Sequence, residues 1–352
     1  MSQQNTFGDQ SDRSGTPPTD VDELPVGLPM PRRPDLLQPG ASRLRVRTGS
    51  NRFPFPIPNG WFAIARSGQI KPGEVTALRY FGHDLVAFAG DDGAVHLTQA
   101  YCPHLGAHLA VGGRVDGNCI TCPFHGWKFD GDSGACVAIP YALTERIPAR
   151  AAVRSFPTVE RNGLIFAWHH LQRGEPFFDV PHVPEFSSPD WLPSIMKDFH
   201  ISTACQEMAE NNHDFAHFKF VHGTDEIPAG EEFIDGTYKR VTNPDLERET
   251  FGLGLGVVRR PGVVTFLSSA TPVDEDNLHV RWIFTAPVGL GADLLEQIAE
   301  QFALGVSQDV PIWENKIYRP RPMLTKGEAG IIAHRNWAEQ FYSRLTTDPP
   351  RA

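Results

Sequence analysis

Tyr101-Cys102-Pro103-His104-Leu105-Gly106 and Cys122-Pro123-Phe124-His125-Gly126-Trp127-Lys128 are the two stretches on which the reading of this chain turns. Each carries one cysteine and one histidine, as Cys-x-His and then Cys-x-x-His, with seventeen residues between His104 and Cys122. Two thiolates and two imidazoles so arranged hold a small metal centre. That centre is either a zinc ion or a two-iron cluster with cysteines on one iron and histidines on the other. Structural zinc sites usually pair cysteine with cysteine and histidine with histidine a few residues apart. Here each loop carries one of each, so the loops can sort sulfur to one metal and imidazole to the other. That favours the cluster. Cys102, His104, Cys122 and His125 are its candidate ligands, and a zinc ribbon on the same four residues is the alternative.

Around this centre lie 352 residues, enough for two domains with substantial cores. A formal net charge of -10 argues against nucleic acid as a partner, because phosphate binding needs clustered Lys and Arg. No apolar run approaches the ~18 residues of a spanning helix. The first residues show neither a basic nor an apolar leader region, so no secretory signal is expected. Cys119, Cys136 and Cys205 remain after the two metal-binding thiols; an odd remainder fits a reducing compartment, and a cytoplasmic location is expected.

Residues 1–50 are rich in Pro, Gly, Ser and Asp, and are expected to form a disordered tail. From 51 to 172 short apolar runs alternate with turn residues, among them Gly60–Ala65, Asp84–Ala89 and Gly163–Trp168. Asp91-Asp92-Gly93 and Asn162-Gly163 sit between such runs as hairpin turns do. A small antiparallel β domain is expected, with the centre at the tip of two loops. Gly106, Gly126, Pro103 and Pro123 would turn those loops and bring backbone N–H groups toward the sulfurs.

The span 173–352 begins with a Pro-rich connection, Glu175 to Pro193, and then reaches Asn211-Asn212-His213-Asp214-Phe215-Ala216-His217-Phe218-Lys219-Phe220-Val221-His222-Gly223. Spacing of three puts Asp214 and His217 on one helical face. A regular helix would rotate His222 about 140° from His217, so both reach one metal only if the helix loosens, and Gly223 suits such a break. Two histidines and a carboxylate make the open facial triad that binds non-haem Fe(II). The carboxylate is found on the amphipathic stretch Ala292–Asp309, whose stripe Leu295, Ile298, Phe302, Val306 has Asp309 as its next position. A carboxylate on a core-facing stripe is costly unless paired or metal-bound, so Asp309 is the candidate third ligand. Pro311 predicts that this helix kinks or ends just after it. Strands are expected at Gly254–Val258, Gly262–Leu267 and Leu278–Phe284, packed on the Asp309 helix around a pocket for a bulky apolar substrate.

Cys102-Pro-His-Leu-Gly-Ala-His-Leu followed by Cys122-Pro-Phe-His-Gly-Trp resembles the cluster loops of Rieske proteins. Respiratory Rieske proteins carry an extra cysteine in each loop, where this chain has Ala107 and Phe124, so the resemblance is to the oxygenase or ferredoxin kind. His108 falls outside both ligand pairs and is read as a loop histidine. The two histidine motifs in this order resemble the catalytic α subunit of Rieske non-haem iron oxygenases, over nearly the whole chain after the tail. That resemblance implies an α+β chain, an N-terminal all-β Rieske [2Fe-2S] domain followed by a helix-grip-like catalytic domain with an antiparallel sheet. It implies a mononuclear Fe(II) site, O2 as co-substrate, and electrons from a separate NAD(P)H-dependent reductase, with or without a ferredoxin. It also implies a homotrimer in which His125 of one subunit contacts Asp214 of the next, and Asp214 contacts His217.

Within that family the chain is most similar to the 3-ketosteroid 9α-hydroxylase oxygenase components and the sterol-oxidising branch. The similarity is carried by Asn211-x-x-Asp214-x-x-His217-Phe218, Gln308-Asp309-Val310-x-Ile312-Trp313-Glu314-Asn315-Lys316, and Trp337-x-Glu339-Gln340-Phe341-Tyr342. Pro311 and Lys219 depart from the steroid pattern. The expected activity is hydroxylation of a steroid or sterol. The alternatives are aromatic O-demethylation or ring hydroxylation, sterol desaturation, and, remotely, a non-catalytic electron carrier or zinc module.

Overall fold

Asn162 and Gly163, with φ of 54° and 79°, form a two-residue turn that sets Arg161 opposite Leu164. Both central residues of a type I′ turn need positive φ, which Asn-Gly supplies at least cost. The strand that follows, Leu164–His169, lies between Thr158–Arg161 and Gly60–Arg66 in a three-stranded sheet. In the computed structural model the chain is described over residues 52–143, 146–243 and 246–343; the expected tail lies outside them. Asp91-Asp92-Gly93 likewise turns His83–Ala89 back onto Val95–Gln99, within a second sheet that also holds Val75–Tyr80 and Ser155–Phe156. A third sheet of short strands, Arg114–Asp116, Cys119–Thr121, Lys128–Asp130 and Cys136–Ala138, carries the second Cys/His loop. Phe88, Leu109, Ile120 and Phe129 form the core beneath it, in contact with Cys102 and Cys122.

The second half is built on a seven-stranded antiparallel sheet in the order Ile195–Ile201, Leu278–Thr285, Val264–Pro272, Leu255–Arg260, Glu247–Phe251, Tyr238–Thr242, Glu231–Asp235. The three strands expected from sequence are its second, third and fourth. Four helices accompany it: α1 (Cys205–Glu210), α2 (Phe215–Phe220), α3 (Ala292–Trp313) and α4 (Ala329–Ala338). Helix α3 lays Leu295, Ile298 and Ala299 on Phe266 and Phe284 of the sheet, which is the expected grip of one long helix by an antiparallel sheet. Helix α3 runs through Pro311 and ends two residues further on, at Trp313. Proline removes a single intrahelical bond, and here the last turn is anchored by the buried Trp313, whose carbonyl takes the Arg52 guanidinium. Among the described residues no helix is long and apolar enough to cross a membrane.

The two halves are laced through Gly60–Arg66. Arg281, 5 % exposed, donates to Ala63 O at 2.7 Å, Ile64 O at 3.2 Å and Tyr80 Oη at 2.6 Å. Thr271 Oγ1 donates to the same Ala63 carbonyl at 2.6 Å, and Ala63 N–H to Ser269 Oγ at 2.9 Å. One apolar core joins Phe62, Ile64 and Leu85 to Ile201, Val306 and Trp337. Arg281→Met keeps the volume but leaves buried carbonyls short of a donor, at an expected cost of about 2–4 kcal/mol, read as a lower denaturant midpoint.

Candidate metal centres and cavity

The two cluster loops close in the same way. Cys102 N–H bonds Ala107 O at 2.9 Å and Cys122 N–H bonds Trp127 O at 2.8 Å, five residues on in each case. Gly106 N–H returns to Cys102 O at 2.9 Å and Gly126 N–H to Cys122 O at 3.1 Å. Both glycines have positive φ, 76° and 72°, so a side chain at either position would be strained. These glycine N–H groups serve the cysteine carbonyls, and the turn brings the backbone N–H of His104 toward the Cys102 sulfur, as expected of these loops. Cys102 and Cys122 are 2 % and 3 % exposed, and burial with the neighbouring Cys122 thiol pushes Cys102 up to about 11. His104 and His125 are half-buried, their rings 4.7 Å apart, with the Trp127 indole stacked on His104 at 4.7 Å. Sulfur inside and imidazole outside is the sorting that a cluster with two cysteines on one iron and two histidines on the other requires. All five cysteines are free, Cys119, Cys136 and Cys205 included. His108 bonds only locally, its Nδ1 accepting from Ala110 N–H at 3.2 Å.

The second site is assembled from three elements. Asn211 lies in a short 3-10 turn between α1 and α2, and Asp214 is the N-cap of α2, its side chain accepting from His217 N–H at 3.3 Å. Asp214 thus precedes the helix instead of lying on its face. Helix α2 ends at Phe220, and the chain turns through Gly223 at φ 73°, which carries His222 round toward His217. Asp309 comes from α3, 7 % exposed, on the stripe expected for it. Ligand atoms of His217, His222 and Asp309 lie within 4.8 Å of one another, and His222 Nε2 is 3.4 Å from Asp309 Oδ2.

Hydrogen bonding assigns the tautomers. His222 Nδ1–H donates to Gln308 Oε1 at 2.9 Å, and His217 Nδ1–H donates to the backbone carbonyl of Asp214. Each Nε2 is left to face the centre, where the Asn211 amide sits 3.2 Å from that of His217. The ring of His217 therefore meets the main chain of Asp214, while its backbone meets the carboxylate. Burial lowers the His217 pKa; for His222 burial acts the same way, but the Asp309 hydrogen bond and charge outweigh it and raise the pKa. Lys219 is exposed, donating to Asp225 O at 2.7 Å, so that departure leaves the site untouched.

The triad lines a cavity of about 1090 Å³, its open mouth included, walled also by Met208, Leu253, Leu255, Val258, Phe266 and Trp313 among others. This mostly apolar lining suits an apolar ligand. Gly305 of α3 faces it, and a Cβ there would meet nothing within 4 Å. Trp282 Nε1 and Gln301 Oε1 in the wall have no hydrogen-bond partner. Arg248 also lines the cavity, and sequence reading missed it because Glu247-Arg248-Glu249 looks like a solvated charge run.

Behind Asp214, His213 Nδ1–H donates to Glu232 at 3.1 Å and its Nε2 accepts from Lys239 Nζ at 3.0 Å. Lys239 is 1 % exposed and also reaches Glu232 at 2.9 Å. These partners are far apart in sequence, so no local motif announced them.

Similarity to known proteins follows this geometry. Residues 60–157 match the Rieske [2Fe-2S] domain, and residues 167–342 match the 3-Ketosteroid 9alpha-hydroxylase C-terminal domain. The fold is that of NdmA from Pseudomonas putida CBB5, with a TM-score of 0.67 at 20 % identity over 79 % of this chain and 88 % of that one. Dicamba monooxygenase superposes with a TM-score of 0.62 at 19 % identity, over 80 % of this chain and 96 % of that one. Cholesterol 7-desaturase nvd 1 of Ciona intestinalis is 34 % identical, over 88 % of this chain and 73 % of its own length. The probable 3-ketosteroid-9-alpha-monooxygenase oxygenase component of Rhodococcus rhodochrous is 30 % identical, over 80 % and 79 %. The chain belongs to the Rieske non-haem iron oxygenases, in the family that carries the 3-ketosteroid 9α-hydroxylase C-terminal domain. It is an oxidoreductase whose cofactors are a [2Fe-2S] cluster and a mononuclear iron, with O2 as co-substrate and a reductase as electron source.

Burial alone would raise Glu232, but the hydrogen bonds from His213 and Lys239 override it and depress the carboxyl to about 2. A depressed carboxylate contributes stability that is present above its ordinary value of 4.5 and is lost as pH falls through about 2. Glu232→Gln should therefore be less stable than the parent near neutral pH, with the gap closing as pH drops across that window in unfolding titrations.

Proposed function

We propose that this chain is the oxygenase component of a Rieske monooxygenase acting on a steroid or sterol, with residues 51–172 as cluster domain and 173–352 as catalytic domain. The observation that carries it is the convergence of His217, His222 and Asp309 in the wall of a largely apolar cavity. Cys102, His104, Cys122 and His125 hold the cluster; His217, His222 and Asp309 hold the iron. When bound, these centres supply single electrons and O2 activation.

The rest is done by side chains. Gln308 and the Asp214 carbonyl hold the two imidazoles in the Nε2-facing tautomer, and such outer partners typically govern metal affinity by 10–100-fold. Met208, Leu253, Val258 and Phe266 exclude water from the carbon to be oxidised. In the family's arrangement Asp214 joins this site to His125 of a neighbouring subunit in a homotrimer. Half-buried His125, between the exposed Phe124 and Leu105 at 61 % and 64 %, is presented as such a contact requires. A separate NAD(P)H-dependent reductase, with or without a ferredoxin, feeds the cluster, and the free thiols fit a cytoplasmic enzyme. The two relatives above, one a sterol desaturase and one a steroid monooxygenase, support the substrate class.

Product mass after incubation of the reduced holoenzyme and O2 with steroids, sterols and methoxyarenes is the test. Gain of one oxygen on a steroid is expected; loss of two hydrogens means desaturation, and turnover of methoxyarenes alone sinks the steroid reading. Asp214→Ala should retain both metal centres by iron content and lose at least about 100-fold in coupled turnover; full activity would remove the relay. Gly305→Leu places a side chain in the empty cavity without a helix penalty, so bulky-substrate KM should rise by about 10-fold or more while stability holds.

A further inference from the structure

Arg248 stands on the strand Glu247–Phe251, half-buried, and forms part of the cavity wall. Side chains alternate along a strand, so Thr250 shares its face and also lines the cavity. Glu247 and Glu249 take the other face, where both engage Arg259 and Glu249 also accepts from Tyr238 at 2.8 Å. Neither can neutralise Arg248. Asp309, the carboxylate of the triad, is held by His222. What Arg248 does touch is Phe218, its guanidinium carbon 5.2 Å from the ring centroid. A cation over an aromatic face is partly stabilised but keeps its charge and its five N–H donors. Burial draws the guanidinium down to about 10, which still leaves it protonated at neutral pH. A half-buried cation with no carboxylate partner among the described residues makes a larger demand on whatever fills the cavity than the neutral Trp282 and Gln301 atoms do.

Its position is also specific. Phe218 lies 4.2 Å from the His217 ring and 5.6 Å from the His222 ring, so Arg248 is one aromatic ring away from the iron site. We propose that Arg248 is the specificity-determining residue of this cavity, donating to an acceptor-only oxygen, a ketone or carboxylate, carried by the substrate close to the carbon that is oxidised. A hydroxyl or a bare hydrocarbon at that place satisfies the guanidinium less well, so the pocket discriminates among molecules of the same skeleton. This rests on the cavity being the substrate site of the proposed oxygenase.

The test is equilibrium binding to the holoenzyme, read by quenching of Trp282 and Trp313, which line the cavity. The probes are one saturated steroid skeleton bearing at the same carbon a ketone, a carboxylate, a hydroxyl or hydrogen, and a decalin series bearing the same four groups. The parent should bind the ketone or carboxylate member at least about 10-fold more tightly than the hydrogen member. Arg248→Met should bring that ratio to near one, and Arg248→Lys should keep part of it. A ratio near one in the parent, or equal weakening of every probe in Arg248→Met, would overturn the proposal and reduce Arg248 to a support for Phe218. Whichever of ketone and carboxylate binds more tightly identifies the oxygen read. An Arg248-dependent ratio in the decalin series with no steroid binding would uphold the acceptor reading and reject the steroid one.

Discussion

A carboxylate buried beside a histidine is the constraint on which the second half of this molecule depends. Asp309 is 7 % exposed in the wall of a largely apolar cavity, paired with His222 and close to His217. To bring it there, a 22-residue helix must lie across the sheet in one register. Leu295, Ile298 and Val306 set that register by burial, at 1 %, 2 % and 4 % exposure. To bring the histidines there, α2 must stop at Phe220 and the chain must turn at Gly223. Helix, sheet and turn are thus coordinated by one small polar cluster, and a shift of one residue in any of them would disperse it.

Much of this was legible in the chain because the signals are short-ranged. The ligand pairs at 102–104 and 122–125 carry their chemistry within four residues, and the Asp309 stripe repeats at helical period over one element. The seven-stranded sheet was seen only in its second, third and fourth strands. Glu231–Asp235 and Tyr238–Thr242 pair across Gly236-Thr237, but their charged residues hide the alternation that marks a half-buried strand, and every residue of the first is exposed. Pro311 marked the C-terminal end of α3 to within two residues, the last turn being held by the buried Trp313. Arg248 and the His213–Glu232–Lys239 cluster were invisible because each draws its meaning from partners brought by the fold.

The redox loops show how little difference separates two roles. Both use Cys-Pro-x-x-Gly with the same pair of closing hydrogen bonds, and only the histidine moves, from the second position after cysteine to the third. The shared scaffold buries both sulfurs and leaves both imidazoles half-buried. Beside the imidazoles Leu105, Phe124 and Tyr141 are exposed, the last two in ring contact with His125.

Arg281 and the core that joins Phe62 and Ile64 to Val306 and Trp337 carry a further consequence. A cluster-bearing β domain is often treated as a portable cassette that could be cut out and grafted. Here its first strand is half satisfied by groups of the catalytic sheet, so excision would strip the Ala63 carbonyl of its donors and lay open a shared apolar seam. The two parts should melt together in one calorimetric transition. Their inheritance should be joint as well: swapping the cluster half between related enzymes means carrying the seam along with the metal loops.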